Sequence, residues 1–274
     1  MSKNLHQQYY KKYFEGIDFG YLQSNDQKAL DYVVNRIKEC NASLCAPGLL
    51  NDIPVPKCVK EDDCFKCFDL EVIYPGLVTG IGINHEAKIK GEFKLGIHFD
   101  WTWGMPVVYG SSVKGVLRAW FKEFYKGPRD SYDYEMEIFE GKLRNTEAEE
   151  KKYGKDWQEE VKVTKNRIYK PKSIYESDIF FDAVISAPDP KGRILCSDSI
   201  TPHGDNPLKN PTPITFLKIA PGCKLEFRFK LVGSDEEKNF KCDLFKEILT
   251  TVGVGAKTNV GYGQLKVVPE ETKK

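Results

Sequence analysis

Two glycine-bearing segments hold the side chains best suited to chemistry. They are Gly110-Ser111-Ser112-Val113-Lys114-Gly115-Val116-Leu117-Arg118 and Gly253-Val254-Gly255-Ala256-Lys257-Thr258-Asn259-Val260-Gly261-Tyr262-Gly263. Each pairs flexible backbone with hydroxyl and basic side chains. Glycine lets a ligand approach the main chain, and backbone amides beside a helix start favour an anion. These types at this spacing predict a surface for a phosphodiester backbone. Lys114, Arg118 and Lys122 stand four residues apart, so on a helix they share one basic stripe. In the second segment Lys257, Thr258 and Asn259 are donors set among Gly253, Gly255, Gly261 and Gly263. Tyr262 has two readings, as a stacking partner for a base or sugar or as a core aromatic. Plainer alternatives stand beside both segments: a capped amphipathic helix with a solvated cationic face, and a glycine-rich turn joining helix to strand. A Walker A loop does not fit. Ala256 occupies the required glycine, and the helix precedes the loop instead of following it.

Other reactive residue types are less organised. His6, His85, His98 and His203 have no partner at motif spacing, and each reads as an ordinary polar residue rather than a catalytic base. Nothing resembles a Ser-His-Asp triad. Cys40, Cys45, Cys58, Cys64 and Cys67 cluster, and Cys64-Phe65-Lys66-Cys67 has the spacing of half a zinc knuckle. Cys45, Cys58, Cys64 and Cys67 would make a four-thiolate set. A second C-x-x-C is missing, so free thiols are the expectation and no metal or cofactor is assigned.

The elements that must position these residues are legible in outline. Gln27 to Cys40 has helical spacing. Strand alternation starts at Phe68 and returns at Glu92–Phe99, with Phe93, Leu95, Ile97 and Phe99 on one side and Lys94 and His98 on the other. A helix follows Ser111 or Ser112 as N-cap, with Val113, Val116, Leu117, Trp120, Phe121 and Phe124 as its apolar face, and ends at Gly127-Pro128. Residues 131–176 are charged and tyrosine-rich, with little hydrophobic period, and read as an inserted, partly mobile excursion. Strands are expected from Asp178 to Ser186, near Ile194, from Ile214 to Ile219 and from Lys224 to Leu231. A helix from about Lys241 to Val252 and a strand from Gly261 to Val268 close the chain. This order contains a β-α-β-β-α-β plan, an α+β ferredoxin-like fold. Residues 1–67 form an N-terminal extension and 68–274 the domain, with the insertion at about 128–177.

Bulk composition limits the function. At 274 residues the chain can bury a substantial core, but its 41 basic and 40 acidic side chains nearly cancel. A solitary nucleic-acid binder is usually basic overall. A local cationic face on a subunit that shares its ligand with neighbours fits better. The polar N-terminus and the lack of a long apolar run predict a cytosolic protein.

Gly104-Met105-Pro106-Val107-Val108-Tyr109-Gly110-Ser111-Ser112-Val113-Lys114-Gly115-Val116-Leu117-Arg118 resembles the G-x-P-x-I-P-G-S-S-x-K-G-x-L-R signature of RAMP proteins, the RNA-binding subunits of type III CRISPR effector complexes. Tyr109 departs from the usual proline. Leu77 to Gly82 resembles the segment after the first RAMP strand, Phe180-Phe181-Asp182-Ala183 the F-x-D-A strand, and Gly253 to Gly263 the C-terminal glycine-rich loop. The resemblance spans about residues 68–270 and is nearest to subunit six of the type III-B (Cmr) complex. It implies a ferredoxin-like RAMP fold and contacts to guide RNA, and to target RNA, through Gly110, Ser111, Ser112, Lys114, Gly115, Arg118, Gly253, Gly255, Lys257, Thr258, Asn259, Gly261, Tyr262 and Gly263. Implied partners are the backbone RAMP subunit, the small helical subunit and another terminal RAMP subunit, with this chain capping the filament near the guide 3′ end. Family members that cut RNA use an aspartate before the glycine-serine-serine signature. Glu86, Glu92 and Asp100 lie in that stretch without its D-S-P-like context, so no cleavage is expected. The alternative is an endoribonuclease of the same superfamily.

Overall fold

The computed structural model describes residues 4–20, 26–48, 65–80, 82–83, 85–154, 157–161, 166–201 and 213–268. Its centre is a sheet built from β1 (Phe65–Val72), β3 (Val107–Val108), β6 (Ile179–Phe180), β7 (Ala183–Ala187), β10 (Lys224–Lys230) and β11 (Leu265–Val267), in spatial order β11-β1-β10-β7-β3, with β6 also pairing β10. Every named pair in it is antiparallel. Helix α3 (Gly110–Phe124) follows β1 and β3, and α7 (Asp235–Val252) follows β10. Taking β1, β7, β10 and β11 as first to fourth strands, the order 4-1-3-2 is that of the ferredoxin-like plan.

Alternation explains the core. Along β10, Leu225, Phe227 and Phe229 point inward while Lys224, Glu226, Arg228 and Lys230 do not. Phe245, Ile248 and Leu249 of α7 and Val113, Leu117 and Phe121 of α3 cover that inner face, in one cluster with Leu70 and Val72 of β1. Trp120, assigned to the apolar face by spacing, is instead 45% exposed. A second sheet, β2-β9-β8, joins β2 (Phe93–Leu95), β9 (Ile214–Ile219) and β8 (Leu195–Ile200), with β2 parallel to β9. The strand expected over Glu92–Phe99 is thus shorter. Ile97 and Phe99 are still buried, but the chain turns into a hairpin in which Phe99 bridges Pro106.

Over its described residues the charged insertion is folded, where the sequence reads as a partly mobile excursion. It forms α4 (Ser131–Glu140), β4 (Lys142–Arg144), α5 (Thr146–Tyr153), α6 (Trp157–Glu160) and β5 (Tyr169–Pro171), with β4 antiparallel to β5. Its order comes from ion pairs that no period reveals. Glu149, fully buried, accepts from Arg144 at 3.0 Å and from the Ile168 amide at 2.8 Å, and Arg167 bridges Asp130 and Asp133 at 2.6 and 2.8 Å.

The N-terminal extension packs on the domain. α1 (Leu5–Gln7) runs into a wider helical turn, and α2 (Gln27–Leu44) follows. Leu5, Tyr9, Tyr13, Val33, Ile37 and Leu44 join the main core cluster. Tyr9 donates to the Leu95 carbonyl at 3.2 Å, and Asn41 to the Gly91 carbonyl at 2.8 Å. Among the described residues no helix is long and apolar enough to cross a membrane.

His85 sits in this junction, buried against the rings of Tyr9, Tyr13 and Phe14. Burial pushes its pKa down to about 4 from the usual 6.5. Between these values the unfolded chain binds the proton and the folded protein does not, so stability falls as pH drops through that window. A loss of about 3 kcal/mol is expected between pH 7 and 4. Urea midpoints across this range should show it, and His85→Phe should flatten the His85 part of the slope.

Candidate nucleic-acid interface

The start of α3 is set by a glycine and a distant carboxylate. A Cβ at Gly110 would run into the Phe180 carbonyl, so only glycine lets the helix start lie against the backbone between β6 and β7. The Gly110 N–H donates to Asp182 Oδ1 at 2.7 Å. Tyr109 is the N-cap and makes no side-chain cap bond. This corrects the expectation that Ser111 or Ser112 caps the helix, since both lie within its first turn. It also corrects Gly110 as a ligand contact. Gly110 is buried, and the Asp182 carboxylate occupies the place where an anion would sit.

Beyond that start, three segments converge on one cleft of about 460 Å³. Ser112, Gly115 and Val116 line it from α3, Thr79, Gly80 and Gly82 from the loop after β1, and Gly255 and Ala256 from the C-terminal glycine segment, with His98 beside them. The glycine segments therefore meet. The Ala256 N–H donates to the Val78 carbonyl at 2.7 Å and fastens the C-terminal loop to the loop after β1. Gly255 makes that approach at φ +93°, where a Cβ would strike the same carbonyl.

The remaining residues of the second segment divide by role. Gly253 and Gly263 are buried, and the Val254 N–H donates to the Gly263 carbonyl at 2.9 Å. They brace the loop from inside and are corrected from interface to scaffold. Gly261 ends the short turn Thr258–Val260, of which Asn259 is exposed and Thr258 half-buried. Tyr262 is a core aromatic, not a stacking surface. It is 8% exposed and donates to Asp198 Oδ2 at 2.7 Å. Lys218 shares that carboxylate. Burial opposes ionisation of Asp198, but these two hydrogen bonds outweigh it and hold its carboxyl below the usual range.

The cationic groups also divide. Lys114 is half-buried, with Nζ 5.9 Å from the Phe180 ring centroid. Lys257 has a left-handed backbone at φ +62°, a conformation costly for a side chain with a Cβ. Such strain concentrates at functional sites. Among the described residues neither lysine has a carboxylate within ion-pair distance. Arg118 and Lys122 differ. Arg118 pairs with Glu135 at 3.4 Å and also with Glu140, and Lys122 pairs with Glu135 at 3.1 Å. Arg118 is thereby corrected: its guanidinium is held by α4 of the folded insertion, and the stripe contributes only Lys114 to the open cations.

Gly115 is the informative glycine. It sits inside α3, exposed, and a Cβ there would meet nothing within 4 Å. Glycine inside a helix costs about 0.5–1 kcal/mol relative to alanine, and no protein contact requires it. Gly115→Ala is expected to raise stability by about that amount in thermal unfolding. Open backbone facing the cleft is what a closely approaching ligand needs.

His98 and Thr79 were not assigned to the site from the sequence. The His98 ring stacks on Tyr109 at 4.4 Å, and the His98 backbone N–H donates to Thr79 Oγ1 at 2.7 Å. Burial lowers its pKa, so the ring is neutral at pH 7. The sequence signal was its place across the strand from Phe99. Asp100 closes a turn by accepting from the Thr102 and Trp103 amides. Among the described residues no group of three or more His, Cys, Asp or Glu side chains could hold a metal. Of the four thiolates considered, Cys67 lies in β1 and Cys45 caps the end of α2, while Cys58 and Cys64 lie outside the described residues.

Residues 69–266 match the model of the RAMP superfamily. The chain belongs to the RAMP superfamily. No curated protein matches it. The fold is similar to a chain of the solved "Cryo-EM structure of the Type III-B Cmr-beta bound to cognate target RNA", with 20% identity, a TM-score of 0.51 and 89% of this chain covered. This chain spans 66% of the length of that one. Further similar structures are Cmr6 from Pyrococcus furiosus (21% identity, TM-score 0.37, covering 74% of this chain and 97% of that one) and the Type IV-B CRISPR complex (11%, 0.40, 76% and 93%). In this RAMP domain the cleft is bounded by the signature helix and the C-terminal glycine loop.

Proposed function

We propose that this chain is an RNA-binding subunit of a type III CRISPR ribonucleoprotein and that the cleft between α3 and the C-terminal glycine loop holds the RNA backbone. The observation that supports this most is the meeting of exposed backbone at Gly115 and Gly255 in one cleft, with Lys114 one residue and Lys257 two residues along the chain from them, two cations without acidic partners among the described residues. Contacts of this kind address phosphate and ribose, not bases, which suits a guide whose sequence varies. The solved relative bound to cognate target RNA supports the same reading.

The finer assignment is the subunit-six position of the type III-B complex, capping the filament near the guide 3′ end, in the cytoplasm. Its neighbours there are the backbone RAMP subunit, the small helical subunit and another terminal RAMP subunit. The chain does not cut RNA in this reading. A second reading has one supporting observation: His98 is neutral and lines the cleft, as a general base would. Purification of the chain with its neighbours, RNA sequencing and a cleavage assay separate the two. The binding reading expects co-purified guide RNAs of differing spacer sequence and no cleavage by the chain. Cleavage lost on His98→Ala would establish the enzyme instead, and no associated RNA would end both.

A further inference from the structure

Beside the cleft stands an aromatic surface that the cationic cradle does not use. The stem of the hairpin from His98 to Tyr109 is closed by Val107 N–H to the His98 carbonyl at 3.0 Å and Asp100 N–H to the Met105 carbonyl at 2.9 Å. At its tip Trp101 is 75% exposed, while Trp103, two residues on, packs against the core. Asp100 fixes this turn by accepting from Thr102 N–H and Oγ1 at 2.8 and 2.7 Å, and from the Trp103 amide. The turn therefore presents one indole outward by construction.

Trp101 is also supported from behind. The Tyr10 ring, 44% exposed, lies within 8° of parallel to it at 6.5 Å between centroids, and His6 packs against both at 4.9 and 4.3 Å. These supports come from the N-terminal extension. The hairpin links this surface to the cleft. Tyr109 stacks on the cleft residue His98, and its phenol lies near enough to Tyr10 to help raise the Tyr10 pKa, after burial. Trp101 is three residues from His98, so their Cα atoms lie at most about 11 Å apart.

From this placement we infer that Trp101, backed by Tyr10 and His6, is a stacking platform for an unpaired nucleobase of the RNA whose backbone lies in the cleft. The inference rests on the RNA reading above and adds a base contact to it. A flat, solvent-facing indole on a hairpin that also borders a backbone-binding cleft is the arrangement that holds single strands without reading sequence.

Fluorescence anisotropy on the full chain tests it with two probes: a short labelled oligouridylate, and an oligomer of equal length with abasic ribose at every position. Trp101→Ala is expected to weaken oligouridylate binding about tenfold and to leave the abasic probe unchanged. Trp101→Phe should restore most of the loss. Lys114→Ala with Lys257→Ala should weaken both probes. Equal loss on both probes, or no loss on either, would overturn the platform while the cleft reading stands. So would a Trp101→Ala variant that keeps its RNA affinity but no longer associates with a neighbouring protein subunit. Failure of the wild-type chain to bind either probe would remove both.

Discussion

Replacing Lys114 and Lys257 together by alanine is expected to lower affinity for single-stranded RNA about 30-fold near 0.1 M salt. The reason is electrostatic. Each lysine that meets a phosphate releases condensed counterions, so the slope of log affinity against log salt should flatten by about 1.4 for two contacts on a single strand. Folding should be little affected, because no carboxylate within ion-pair distance among the described residues is left behind. Arg118→Ala is the internal control. Its guanidinium is held by Glu135 and Glu140, so its loss should loosen α4 and change RNA affinity less than about twofold. Binding isotherms across a salt series measure both. An unchanged slope in the double variant would mean that these lysines meet no phosphate.

Lys241→Met should have the largest effect on stability. The Lys241 ammonium donates to Asp178 Oδ2 at 2.7 Å and to the Val232 carbonyl at 2.8 Å, while Asp178 Oδ1 accepts from the Val232 amide at 2.7 Å. The two side chains are 4% and 3% exposed. Removing the lysine strands a buried carboxylate, at a cost of about 3–5 kcal/mol. That is a large share of the roughly 5–15 kcal/mol holding a typical domain folded. A fall of about 10 °C in Tm is expected. Asp178→Asn combined with Lys241→Met should recover part of it, because no bare charge remains. The pair matters to the site because Asp178 adjoins β6, whose Phe180 carbonyl abuts Gly110. A single variant as stable as wild type would show that water already reaches the pair.

The sequence carried the ferredoxin-like plan because its central elements obey simple periods. Lys224–Leu231 alternates and becomes β10, and the apolar spacing from Leu244 to Val252 becomes most of α7. The first two turns of α7 were missed because their signal is polar. Ser234 and Glu237 form a capping box ahead of any apolar residue of that face. The order of the insertion is hidden for a related reason: it depends on Arg144, Arg167, Glu149, Asp130 and Asp133, whose pairing is set by three-dimensional proximity. The convergence of the glycine segments followed from the fold plan, but the division of labour within them did not. Gly110 and Gly263 serve packing, whereas Gly115 has open space over its Cα. All three read alike in sequence. Arg118 and Tyr262 read as ligand contacts in sequence because their internal partners, Glu140 and Asp198, lie 22 and 64 residues away.

Crosslinking this chain to RNA within its native assembly, with mass-spectrometric identification of the crosslinked residues, bears most directly on where the strand runs. Crosslinks should fall on Thr79–Gly80, Ser112–Gly115 and Gly255–Ala256, stretches that wall a single cleft, and on the adjoining Lys257. Crosslinks confined to the outer faces of α4 and α5, with none on these three stretches, would contradict a backbone bound there.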